Sequence, residues 1–147
     1  MKYALTSIAC AFSCLAAVAA LGTSPAAAAT AVQFQCDGAG PGDISMHARF
    51  EQRASGRRKF NAEFEAAPGG AFTAGQRMTV FVADVNVGTD RLRKVAGGDV
   101  KGELQLDDAA RPGDNEKPLP PNFPPVQRNT QVLIKIAGQN VLACRLQ

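Results

Sequence analysis

The sequence predicts an all-β protein, an antiparallel β-sandwich of about seven strands, with a small open β-barrel as the alternative. Apolar residues recur at every second position over most of the chain. The alternating segments are short, and Gly, Pro or Asp turns separate them. After the first residues, no comparable run recurs at helical spacing.

In "DISMHARFEQR", Ile44, Met46, Ala48 and Phe50 share one face, while Ser45, His47, Arg49 and Glu51 share the other. "KFNAEFEAA" repeats the scheme, with Phe60, Ala62 and Phe64 against Asn61, Glu63 and Glu65. Period two of this length describes half-buried strands. The intervening "ASGRR" predicts a hairpin turn in which Gly56 takes positive φ. "RMTVFVADVNVGTDRLRKV" predicts two Val-rich strands joined tightly near Ala83-Asp84. "DVKGELQLDD" puts Val100, Gly102, Leu104 and Leu106 on one side, and "TQVLIKIAGQNVLACRLQ" predicts a closing hairpin. With no Trp and a single Tyr, Tyr3, core bulk is expected from Phe34, Phe50, Phe60, Phe64, Phe72, Phe81 and Phe123. Carbohydrate platforms usually show Trp or Tyr, so this aromatic set reads as packing.

The first residues have the pattern of a helical export signal. Met1-Lys2 is positive, "YALTSIACAFSCLAAVAALG" is apolar, and "TSPAAAAT" offers small-x-small cleavage sites. Residues 1–29 are expected to be the signal and 30–147 a single domain, with cleavage after Ala29 or at neighbouring Ala28 or Ala31. The domain would be periplasmic or secreted, with no stable membrane span after cleavage. Cys10 and Cys14 fall inside the signal. Cys36 and Cys144 remain and are expected to pair in an oxidising compartment.

Losing Lys2 lowers the formal charge from +3 to +2, unlike the basic surplus of a nucleic-acid binder. His47 is the only histidine. A copper site from Met46 and His47 is disfavoured because neighbours on a strand point to opposite faces. A hydrolytic triad would need His47 with Ser45 or Ser55, neither in a nucleophile-elbow pattern. Glu63 and Glu65 stand roughly 7 Å apart along one strand face, a spacing that solvated faces produce routinely. Arg57, Arg58 and Lys59, and then Arg91, Arg93 and Lys94, form basic clusters. These could meet phospholipid headgroups or acidic glycan, though such charges more often keep strand edges soluble. No enzymatic activity is expected.

"LDDAARPGDNEKPLPPNFPPVQRNT" places Asp107, Asp108, Asp114 and Glu116 ahead of five prolines. Calcium takes six to eight oxygens. These four carboxylates are the candidate ligands, although their spacing matches no calcium-loop motif. Calcium or small-ligand binding by loop 107–116 is thus the alternative function. Leu119, Pro120, Pro121, Phe123 and Pro124 are the candidate partner-binding loop, braced by proline and anchored by Leu119 and Phe123.

The succession "KFNAEFEAAPGG", "VFVADVNVGT", "GELQLDD", "PLPPNFPPV", "TQVLIKI" resembles a recurrent β-rich module of exported bacterial proteins, over Lys59 to Ile136. The resemblance implies an all-β fold and carries no activity and no site residue. The expected function is a non-enzymatic exported domain that binds an envelope or extracellular protein or glycan, or serves a structural role in the cell envelope.

Overall fold

The computed structural model describes residues 30–113 and 115–147. The expected signal helix and its cleavage sites, with Cys10 and Cys14, lie outside the described residues, as does Asp114. The described chain is all β. Its strands are β1 (Val32–Gly40), β2 (Ile44–Gln52), β3 (Arg58–Ala66), β4 (Arg77–Val82), β5 (Val85–Arg91), β6 (Arg93–Lys94), β7 (Val100–Asp107), β8 (Lys117–Pro118), β9 (Gln131–Ile136) and β10 (Gln139–Arg145). Among the described residues, no helix is long and apolar enough to cross a membrane.

Two sheets pack face to face as a sandwich. The larger runs β1-β2-β3-β7-β6, with β8 beside β7, and the smaller runs β10-β9-β4-β5. All pairings are antiparallel except the short β7–β8 contact. The inward residues of each strand are those its alternation selects. Met46, Ala48 and Phe50 of β2 meet Phe60, Ala62 and Phe64 of β3, opposed by Val80, Val82, Val132 and Ile134 of the smaller sheet.

Turns join the strands where the sequence supplies permissive residues. The β2–β3 hairpin closes with Arg53 N donating to Arg57 O at 2.8 Å, and Gly56 takes φ 85°. At the β4–β5 corner, Ala83 and Asp84 both adopt positive φ, the backbone of a tight two-residue hairpin. Beyond β5 the chain passes through buried Leu92 into β6 and so crosses from the smaller sheet to the larger.

The other side is closed by the chain ends. Cys36 on edge strand β1 is bonded to Cys144 on edge strand β10, with Cα atoms 5.8 Å apart. Alongside, Gln35 and Gln147 exchange two backbone hydrogen bonds, at 3.2 and 3.0 Å. The disulfide therefore fastens one sheet to the other.

Ten strands replace the seven expected. β6 and β8 are two residues each, too short to show a period. β1 was hidden for another reason. Its inward positions after Cys36 are Gly38 and Gly40, not apolar side chains. A Cβ on Gly38 would stand 2.9 Å from Met46 Cγ, and one on Gly40 would stand 3.0 Å from Ile44 Cδ1. Packing against β2 forbids there the residues that would have announced a strand.

The expected aromatic core needs one correction. Phe50, Phe60, Phe64 and Phe123 are buried, and Phe34 and Phe72 pack against the core. Phe81 does not belong with them. It pairs with Leu133 on the outer face of the smaller sheet, between the inward residues Val80 and Val82. The alternation of "RMTVFV" already put it there.

Candidate functional site

The acidic stretch begins where β7 ends. Lys59 of β3 lies opposite Asp107 in register, and Arg57 of the β2–β3 turn reaches the same carboxylate. Asp107 is fully buried and accepts from Arg57 Nε at 2.9 Å, from Arg57 Nη2, and from the Ala109 amide at 2.9 Å. Lys59 Nζ lies 2.9 Å from its second oxygen and 2.7 Å from Glu116. Asp108 accepts from the Arg58 amide at 2.9 Å.

The hydrogen bond from Arg57 is the main reason the Asp107 carboxyl is held well below the usual carboxylate range. Glu116 first, and Asp107 second, raise the Lys59 ammonium. The basic cluster Arg57-Arg58-Lys59 is thus the counter-charge of the acidic loop. Asp107, Asp108 and Glu116, three of the four proposed calcium ligands, are committed to cations or amides. Among the described residues, no group of three or more His, Cys, Asp or Glu is arranged to hold a metal.

The proline loop turns inward on this clasp. Leu119 N donates to Asp107 O at 3.1 Å, and Phe123 N donates to Pro120 O at 2.9 Å. The Phe123 ring stacks on Phe50 at 6.1 Å and tilts against Phe60 at 5.5 Å. Phe123 and Pro124 are buried, Leu119 and Pro120 half-buried, and only Pro121, with Asn122, is exposed. Of the five residues nominated for a partner, Phe123 belongs to the core and Leu119 packs against it.

On the outer face of the larger sheet, cross-strand register assembles rows that sequence spacing could not show. One row runs Asp37, His47, Glu63, Glu103, and the next runs Gln35, Arg49, Asn61, Gln105. His47 Nδ1 lies 2.8 Å from Asp37 Oδ1. Lys101 Nζ lies 2.8 Å from Glu63, and this contact chiefly lowers the Glu63 pKa. Asp37, Ser45, His47, Glu63 and Glu65 line one open depression of about 470 Å³.

The residues a hydrolytic reading would need are therefore neighbours. They lie in solvent, with 41% of the His47 side chain and 78% of the Asp37 side chain exposed. A dyad in water lacks the enclosed, preorganised setting that makes such groups catalytic. Met46 and Met78 are buried in the core, on the opposite side of the sheet from His47.

The smaller sheet presents a different chemistry. Its outward rows are Ala143–Leu133–Phe81–Asn86, then Asn140–Lys135–Thr79–Thr89, flanked by the pairs Gln131–Arg145 and Arg77–Arg91. These rows hold four cations and no carboxylate. Asp90 lies on the other side of β5, where it accepts from the Glu103 amide at 3.2 Å. Lys135 Nζ sits 4.8 Å above the Phe81 ring, a cation–π contact. Arg77 and Arg91 stand directly opposite each other, a like-charge pairing that disfavours the sheet. Comparison with protein-family models, with curated proteins and with solved structures finds no match.

Proposed function

We propose that this is an exported, non-enzymatic binding domain of the cell envelope that takes an acidic glycan across the outer face of its smaller sheet. One observation carries the reading. The paired rows of that face hold Arg77, Arg91, Lys135 and Arg145 and no carboxylate, whereas the rows of the opposite face mix both signs. A bound anion would relieve the Arg77–Arg91 opposition and use the field of all four cations.

The sequence features of an export signal, and a disulfide of the kind found in oxidising compartments, support an envelope setting. A polymer lying flat fits better than a membrane. Phe81 and Leu133 are half-buried within the sheet, and the exposed large apolar residues, Val32 and Val95, are not on this face. Insertion into lipid needs protruding apolar side chains.

Retention of the disulfide-bonded protein on immobilised polygalacturonate, on neutral dextran and on phosphatidylglycerol vesicles tests the proposal. Retention on polygalacturonate alone is expected. It should weaken as the screening length falls from about 10 Å at 0.1 M salt to about 3 Å at 1 M. The polymer should be recovered with its chain length unchanged. Arg77→Glu with Lys135→Glu should abolish retention. Equal retention of that variant, or capture by vesicles and not by the polymer, would overturn the reading.

A further inference from the structure

The opposite face of the sandwich contains a second feature. Between β2, β3 and β7 the outer surface of the larger sheet sinks into a depression of about 250 Å³, bordered by Arg49, Glu51, Lys59, Asn61, Gln105 and Glu116. Its charges are already answered. Arg49 pairs with Glu51 and also donates to Gln33 at 3.1 Å, and Lys59 pairs with Glu116 at 2.7 Å. A charged ligand would have to break one of these pairs.

One group there is not satisfied. Asn61 Nδ2 donates to Glu63 at 3.2 Å, but Asn61 Oδ1 is buried with no partner. Buried acceptors are almost always paired, and an exception calls for a donor from water or ligand. The rest of the middle row, Gln35, Arg49 and Gln105, is made of planar amide and guanidinium groups, which present donors and acceptors at fixed angles.

From these facts we infer that the depression around Asn61 is a binding site for a neutral polyhydroxylated ligand, a single sugar unit, whose hydroxyl donates to Asn61 Oδ1 once the amide turns toward the depression. The site lies on the face away from the cationic sheet, so both surfaces are accessible at once. Among the described residues no Phe, Tyr or Trp ring lies on this face, so hydrogen bonds supply the affinity and binding is weak.

The test is a titration of the ¹⁵N-labelled, disulfide-bonded protein with glucose, N-acetylglucosamine and glucuronate, followed by amide chemical shifts. A neutral sugar is expected to move the resonances of Arg49, Asn61 and Gln105 together. Asn61→Ala should weaken that binding about tenfold, the worth of one well-made hydrogen bond. Its unfolding midpoint should change little, since the loss of the part-buried bond to Glu63 is offset by removal of an unpaired buried acceptor. Gln105→Ala provides a second variant on a different strand should Asn61→Ala fail to fold.

The inference is overturned if no neutral sugar shifts these resonances, in which case water alone serves Asn61. It is also overturned if a folded Asn61→Ala protein binds as the parent does, or if glucuronate binds more tightly than both neutral sugars.

Discussion

Arg57 and Asp107, fifty residues apart in sequence, meet through a two-point contact in which guanidinium Nε and Nη2 donate to a carboxylate with no solvent exposure. Arg57 belongs to the β2–β3 turn, whereas Asp107 closes β7, so the contact ties the first hairpin to the entrance of the acidic loop. Lys59 extends the tie to Glu116. The loop is shaped by charge on its first half and by ring packing on its second.

Breaking this contact should destabilise the fold in a pH-dependent way. Removing one partner of a fully buried ion pair costs about 3–5 kcal/mol. Arg57 and Lys59 keep 34% and 28% of their side-chain surface in water, so they rehydrate when Asp107 is neutral. Asp107→Asn is therefore expected to cost about 1–3 kcal/mol at pH 7. The native carboxyl is held below its unfolded value, chiefly by Arg57. Its contribution is then complete above the unfolded pKa, near 4, and fades as pH falls through that value toward the native one. Urea unfolding should show a smaller gap between parent and variant at pH 3 than at pH 7. An equal gap at both would contradict the assignment.

The disulfide should rank among the largest single contributions to stability. Cys36 and Cys144 are 108 residues apart, so the bond closes nearly the whole described chain. Loop-closure entropy for that length amounts to about 4–5 kcal/mol. The double variant Cys36→Ala, Cys144→Ala should lose about that much in denaturant unfolding. The Gln35–Gln147 bridge between the same strands should then show faster amide exchange than the β2–β3 ladder. A loss under about 1 kcal/mol would mean that packing, not the cross-link, holds the sheets together.

Legibility in the sequence followed the range of the interaction. Residues whose fate depends on immediate neighbours could be placed from the string: the inward set of β2 and β3, the corner at Ala83-Asp84, and Gly56 in its turn. The Cys36–Cys144 pair was legible by elimination, since no other cysteines follow residue 29. β1 was not, because close packing against Met46 and Ile44 demands glycine at its inward positions. Phe81 carries two signals that disagree: its hydrophobicity points to the core, while its place in the alternation points outward, and the alternation wins. The rows that make up the candidate surfaces could not be read at all. Arg77 opposite Arg91, or Asn61 between Arg49 and Gln105, exists only once strand register is fixed, and register depends on distant residues. For the same reason, Arg57-Arg58-Lys59 resembled a surface cluster when each has an acidic partner fifty or more residues away.

Phe123 supplies the test of whether the proline loop belongs to the core or to the surface. Its ring lies between Phe50 and Phe60, at 6.1 and 5.5 Å, and only 7% of the residue is exposed. Truncating a buried Phe costs about 3–5 kcal/mol, the sum of lost transfer energy and the cavity left behind. Phe123→Ala should fall in that range, whereas Pro121→Ala at the exposed tip should change stability by less than about 0.5 kcal/mol. Thermal melts of the two variants separate the cases. If Phe123→Ala were tolerated as well as Pro121→Ala, the loop would be an independent surface appendage, and removing Leu119 to Pro125 would leave the sandwich intact. The stacked geometry predicts the opposite: with the Phe123 ring gone, Phe50 and Phe60 lose their cover and the β2–β3 hairpin becomes the first part of the larger sheet to exchange its amides.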